Sequence, residues 1–320
     1  MLSSDSKSLL TQWAAWYDLP LYMQPDWLDI VCAGGEWGAC MVDEQDIKAA
    51  TVWYRTTKLG FNHISNPPLT AFLPLWIKYP EADNMKDNRK IAIEYRVIES
   101  LIRQFPAFSF FKQNYLFQFD NWLPFYWRGF RQTTKYTYII EDLGDSEALF
   151  RRMEQSARTD IRKAQALVTV KKVETVEPLY TVYQDSFQRQ GLNTPLDLSM
   201  LRKADHLLAR KQQRCIYIAE DSAGVVHAGL YVAWDGHAAR CLLSGTNTGV
   251  RSSGALYLLF WQAMQDGCGK WPYLDLEGSM HEPIERMLRS LGGVRKPYMC
   301  ITKVQPSWLE AILMVLGRYR

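Results

Sequence analysis

Apolar and polar residues alternate in short runs twice along this chain. From residue 37 to 70 the stretch WGACMVDEQDIKAATVWYRTTKLGFNHISNPPLT sets three apolar runs apart by an acidic turn and a basic turn. That pattern predicts three antiparallel strands. NRKIAIEYRVIESLIRQF follows with helical spacing, then the strand AFSFFKQ. WLPFYWRGFRQTTKYTYIIED then reads as a short helix leading to a strand near Tyr136. From residue 214 the order repeats. RCIYIAEDSAGVVHAGLYVAWDGHAARCLLSGT is again strand, turn, strand, turn, strand. GALYLLFWQAMQDG is a helix, YLDLEGS a strand, and PIERMLRSLGGVRKPYMCITKV a helix and a strand beginning near Tyr298.

A meander followed by helix, strand, helix and strand predicts a mixed sheet with helices against it. The expected class is α+β with two such domains, at 1–142 and 214–304. Between them, 143–213 carries three helical patterns and reads as a connector that packs with the second domain. Its first helix opens with Asp-Ser and a Glu soon after, a capped start. The end of the chain, 305–320, reads as a terminal helix, SWLEAILMVLGRYR. That helix either packs on the body or lies against a membrane surface.

Composition narrows the function classes. A hydrophobic content of 48% in 320 residues builds full cores, and a net charge of +3 gives no bulk argument for nucleic acid. Six cysteines, at 32, 40, 215, 241, 268 and 300, form no C-x-x-C pair and no zinc spacing with histidine. They are expected to be free thiols in a reducing compartment, with no metal. The N-terminal stretch lacks a signal-peptide pattern, and no apolar run approaches the ~20 residues a bilayer requires. A cytoplasmic, soluble protein is the expectation.

Several residues carry candidate chemistry. SGTNTGVRSSGA runs into an apolar helix and brings Arg251, Ser252, Ser253 and Gly254 to its first turn. Free N–H groups and the helix dipole favour an anion there, with a serine cap on a core helix as the purely structural alternative. Arg158 and Arg162 stand one helical turn apart beside Lys163, either gripping a donor phosphate or forming a solvated face. Asp275 and Glu277, two apart on a strand, are expected on one face. Mutual repulsion would raise one pKa and suit it to take a proton from an amine. Pairing with Arg286 or Arg289 is the structural alternative. Tyr298 is a candidate proton donor to a leaving group. His63 and Asn66, at a strand-to-loop junction of the first half, are candidate acceptor-binding residues.

The order of elements resembles that of the GNAT acyltransferases. A tandem pair joined by Arg158-Thr-Asp-Ile-Arg162-Lys163-Ala164 is similar to the FemAB family of peptidoglycan aminoacyltransferases. Further matching stretches are Phe187 to Gly191, Tyr273 to Gly278 and Ser290 to Gly293. The resemblance implies transfer of an acyl or aminoacyl group to an amine, and the turn before the apolar helix and the modest net charge favour acyl-CoA as the donor substrate. Arg158, Arg162, Lys163, Arg251, Ser252, Ser253 and Gly254 would hold that donor. Asp275, Glu277, Arg289 and Tyr298 would carry the chemistry. Two positions depart from the family pattern. Asp275-Leu276-Glu277-Gly278 stands where D-L-G-G is usual, and Leu288 stands where the family has a lysine. The missing lysine weighs against aminoacyl-tRNA as donor. A tRNA-dependent transferase acting on a cell-wall precursor, and a non-catalytic binding protein on the same fold, are the alternatives.

Overall fold

The computed structural model describes residues 3–80, 85–188, 191, 194–250, 253–306 and 308–309. In chain order the helices and strands are α1 (Ser3–Trp16), α2 (Pro25–Val31), β1 (Glu36–Asp43), β2 (Lys48–Lys58), β3 (Phe61–Ser65), β4 (Trp76–Lys78), α3 (Asp87–Arg103), β5 (Phe110–Asn114), α4 (Leu123–Trp127) and β6 (Arg131–Ile140). There follow α5 (Ser146–Arg152), α6 (Gln155–Leu167), β7 (Thr169–Val173), α7 (Glu177–Gln188), α8 (Leu198–Arg210), β8 (Arg214–Glu220), β9 (Val226–Trp234), β10 (Ala239–Thr246), α9 (Ala255–Gly267), β11 (Leu274–Asp275), α10 (Glu282–Ser290) and β12 (Val294–Val304).

The chain divides into two compact units, Met1–Lys135 with Pro297–Arg320, and Tyr136–Lys296. The divisions fall inside β6 and β12 rather than at the expected 142 and 304. The reason is strand pairing: the second half of β12 is antiparallel to β5, from Cys300 opposite Asn114 to Val304 opposite Phe110. It therefore belongs with the first unit.

In the first unit β1, β2 and β3 form the expected meander, and β4 adds to β2. β3 and β5 are parallel, with α3 as the crossover between them. α3 buries Ile93, Val97, Ile98 and Leu101, one face of a 3.6-residue period. Phe111, Phe125, Phe130 and Ile301 complete that core.

In the second unit the strand order is β6-β11-β10-β9-β8-β7. The segment expected to be a helical connector contributes a strand: β7 pairs antiparallel with β8. It contributes helices too, and the capped start holds, since Asp145 accepts the Glu147 and Ala148 N–H groups. α6 and α9 pack on one face of this sheet. Ala157, Ile161 and Ala164 of α6 and Leu259, Ala263 and Met264 of α9 share one core with Ala228, Leu230 and Val232 of β9.

Two irregularities shape this sheet. β10 carries a bulge between Cys241 and Leu243. β10 and β11 pair in parallel only at Ala239–Leu274 and Arg240–Asp275. Past that point β11 stops, and Glu277 takes a left-handed backbone conformation, φ 54°. The remainder of β10 to Thr246 has no β11 partner among the described residues. The sheet opens there, beside the first turn of α9.

Candidate functional site

α9 begins at the opening. Its N-cap is Gly254, with φ 72° and no side chain of its own to cap the helix. Of the two serines that could cap it, Ser253 accepts the Ala255 N–H with its hydroxyl at 3.4 Å. Glycine is required at 254 for two reasons. The left-handed backbone disfavours a side chain, and a Cβ would lie 2.4 Å from the Asp160 carbonyl oxygen of α6. Arg251 and Ser252 lie outside the described residues.

A cavity of about 300 Å³ lies at this helix start. The end of β10 supplies Thr246 and Asn247, the helix start Ser253, Gly254, Leu256 and Tyr257. β9 adds His227 and α10 adds Met287. Backbone N–H groups of a first helical turn and the positive end of its dipole make such a place favourable to anions. The wall is otherwise neutral, with apolar Leu256 and Met287 on it.

Asp275 and Glu277 are not a pair of carboxylates on one strand face, because β11 ends at Asp275. Asp275 is buried at 1% exposure. Its Oδ1 accepts the Thr137 hydroxyl at 2.5 Å and the Glu277 N–H at 2.9 Å, while Oδ2 has no hydrogen-bond partner. Burial pushes its pKa up to about 6, against the lowering effects of Thr137, Arg240 and the Glu277 N–H. Asp275 thus fixes the turn that carries Glu277, which is half-buried. Neither residue lines the cavity at α9.

Arg289 lies between two carboxylates. Its guanidinium is held by Glu154 at 2.9 Å and Glu285 at 3.4 Å. Arg286 pairs with Glu282, so the alternative of an arginine on Asp275 is not realised among the described residues either. Glu285 also accepts a short hydrogen bond from the Tyr138 hydroxyl, a contact with no signal in the sequence.

Arg158 and Arg162 lie one turn apart on α6 as expected, but they have different neighbours. Arg158 donates to Gln155 at 2.8 Å, and its Nε is buried without a partner. Arg162 lies over the Phe150 ring at 5.5 Å. It lines a separate cavity with Trp261 and Gln165. Lys163 is exposed and pairs with Asp160 at 3.7 Å. None of the three lines the cavity at α9.

The remaining candidates lie in the first unit. His63 stacks on Phe110 at 4.5 Å, and burial followed by the Lys58 charge lowers its pKa. Asn66 is occupied by backbone groups. It donates to the Ala71 and Asn114 carbonyls and accepts the Asn114 N–H at 2.8 Å. Tyr298 is buried with its ring edge-on to Phe72 at 4.7 Å. Among the described residues no group of three or more metal-ligating side chains converges, and no helix is long and apolar enough to cross a membrane.

Residues 151–276 match the family model of an acetyltransferase (GNAT) domain. No curated protein matches the sequence. Among solved structures, the crystal structure of FemX superposes on 98% of this chain and 98% of its own, with a TM-score of 0.63 and 11% identity. The C-terminal domain of a putative lysylphosphatidylglycerol synthetase from Agrobacterium fabrum covers 97% and 95%, with a TM-score of 0.50 and 10% identity. A tandem GNAT protein from the clavulanic acid biosynthesis pathway covers 94% and 95%, with a TM-score of 0.50 and 10% identity. At these identities the likeness is one of fold.

Proposed function

Because residues 151–276 carry a GNAT acetyltransferase domain within a FemX-like fold, we propose that this acyltransferase moves an acyl group from acyl-CoA to an amine. The observation that carries the choice of donor is the cavity at the start of α9, where β10, still paired with β9, runs on past the end of β11. It joins an anion-favouring helix start to a neutral, partly apolar wall. That combination suits a diphosphate attached to an uncharged thioester arm. Ser253 and the first-turn N–H groups of α9 would take the diphosphate, with Arg251 adding a charged fork.

The acceptor amine is protonated at neutral pH and must lose a proton before it attacks. We assign that proton to Glu277. Asp275 is then a positioning residue, since its Oδ1 holds the Glu277 N–H and so the left-handed turn. The amine nitrogen bonds to the thioester carbon and the C–S bond breaks. Its electron pair leaves on sulfur, and the thiolate takes the second amine proton. The N–H groups near the β10 bulge are candidates to stabilise the oxyanion formed between these steps.

Calorimetric titration of the full chain with coenzyme A and acetyl-CoA tests the donor. Binding of both, weakened in Arg251→Ala, is the expected result. No binding of either, with salt-sensitive binding of aminoacyl-tRNA, would overturn it.

A further inference from the structure

Three helices of the second unit line a cavity of about 470 Å³, separate from the one at the start of α9. α6 supplies Arg162 and Gln165, three residues apart, and α9 supplies Trp261 and Gln265, four apart. Each helix thus presents one face to the same space. α5 closes it with Phe150 and with Glu147 and Arg151. Cavities that hold small molecules run from roughly 300 to 1,000 Å³.

The floor is aromatic. The Phe150 and Trp261 rings meet at 5.0 Å with an angle of 49° between them. Trp261 is only 7% exposed. A buried indole ordinarily finds an acceptor for its N–H, yet none among the described residues takes that of Trp261. Arg162 lies over Phe150 at 5.5 Å. A guanidinium packed on a ring keeps its N–H donors, which lie along its edge. Among the described residues no carboxylate pairs with Arg162, and no group bonds the side-chain amides of Gln165 and Gln265. The other charges on the wall are settled. Arg151 reaches Glu147 at 3.4 Å and Asp145 at 3.9 Å. One positive charge, that of Arg162, is left without a counter-ion.

We propose that this cavity is a second ligand site, and that it takes a small carboxylate carried on a planar apolar body. The body packs on Phe150 and Trp261, and the carboxylate accepts two N–H groups from the edge of Arg162. The Gln165 and Gln265 amides and the Trp261 N–H serve the remaining polar atoms. Charge decides the class. A carboxylate balances Arg162, whereas a phosphate monoester carries about −1.5 to −2 at neutral pH and would meet Glu147 with the excess. An ammonium group would meet Arg162. The site stands apart from the acyl-CoA reading, since the two cavities share no lining residue.

The test is calorimetric titration of the full chain with 3-phenylpropionate at neutral pH, with 3-phenylpropanol as its uncharged counterpart. The acid should bind on the order of tenfold more tightly than the alcohol, the effect of one charge-assisted contact. The corresponding amine, 3-phenylpropylamine, should not bind. Arg162→Gln should abolish the preference for the acid. Arg162 is exposed, so this variant keeps its fold, and urea unfolding checks that it does. Arg162→Lys keeps the charge without the fork and should recover only part of the preference. Nitrogen NMR locates the ligand: the Trp261 indole N–H resonance, identified by its loss in Trp261→Phe, should move as 3-phenylpropionate is added to the wild type. No binding of the acid, equal affinity for acid and alcohol, wild-type affinity in Arg162→Gln, or an unmoved Trp261 resonance would overturn the inference. So would tighter binding of inorganic phosphate than of the acid.

Discussion

The Thr137 hydroxyl stands 2.5 Å from Oδ1 of Asp275, and no donor reaches the other oxygen of that carboxyl. Burial outweighs that hydroxyl, so Asp275 keeps a proton up to about pH 6, against 3.8 when free. Between those values the folded chain binds more protons than the unfolded one. Stability falls as pH rises through that window and stays lower above it. Asp275→Asn removes the titration and keeps the oxygen that holds Thr137 and the Glu277 N–H. Relative to wild type, the variant should gain roughly 2–3 kcal/mol between pH 4 and pH 7. Urea unfolding of both proteins at the two pH values measures this, and an equal difference at both would refute it.

Gly254 joins two helices as well as starting one. Alanine there would strain a φ of 72° and press its Cβ against the Asp160 carbonyl. Gly254→Ala should cost about 2 kcal/mol or more. It should also weaken coenzyme A binding, because α9 cannot keep its first turn in place. Urea midpoints and calorimetry read the two effects separately.

Asn66 ties its own loop to Asn114 and Ala71. Asn66→Ala leaves the Asn114 N–H without its partner, while the Ala71 carbonyl keeps the Asn114 side-chain amide and the Asn114 carbonyl keeps the Leu73 N–H. The expected loss is about 2 kcal/mol in thermal or urea unfolding. A stable variant with altered amine affinity would return Asn66 to the acceptor site.

Arg289 is half-exposed and shared between Glu154 and Glu285. Arg289→Gln should change stability by less than about 1 kcal/mol, with a smaller difference at high salt. Turnover should be unchanged, and a large loss of turnover with intact stability would give Arg289 a part in the chemistry.

The order of strands and helices was readable because hydrophobic period changes from two to 3.6 at each step of both halves. β7 was not readable: Thr169–Val173 is an edge strand of mainly exposed residues, including Lys171 and Lys172, with little apolar alternation. The helix start at Gly254 was visible in its composition. The role of glycine there comes from Asp160, about ninety residues earlier in the chain, and no local pattern reports that. Asp275 and Glu277 looked like strand neighbours, since spacing of two says nothing about where a strand stops. Arg158 and Arg162 are one turn apart, but which side chains surround them depends on the packing of α5 and α9. The place of His227 on the wall of the α9 cavity was missed because a lone histidine in a strand carries no spacing signal.

The pairing of β12 with β5 bears on how the protein is made. Asn114 emerges from the ribosome 186 residues before Cys300, the residue it lies opposite. At ordinary rates of synthesis that is a wait of about 10–40 s. Throughout it, β5 lacks the neighbour it has in the finished protein, while the chain for the other unit is being added. The first unit to be translated is thus the last able to complete its sheet. Its exposed strand is the stretch where a chaperone or a neighbouring nascent chain would find most to hold.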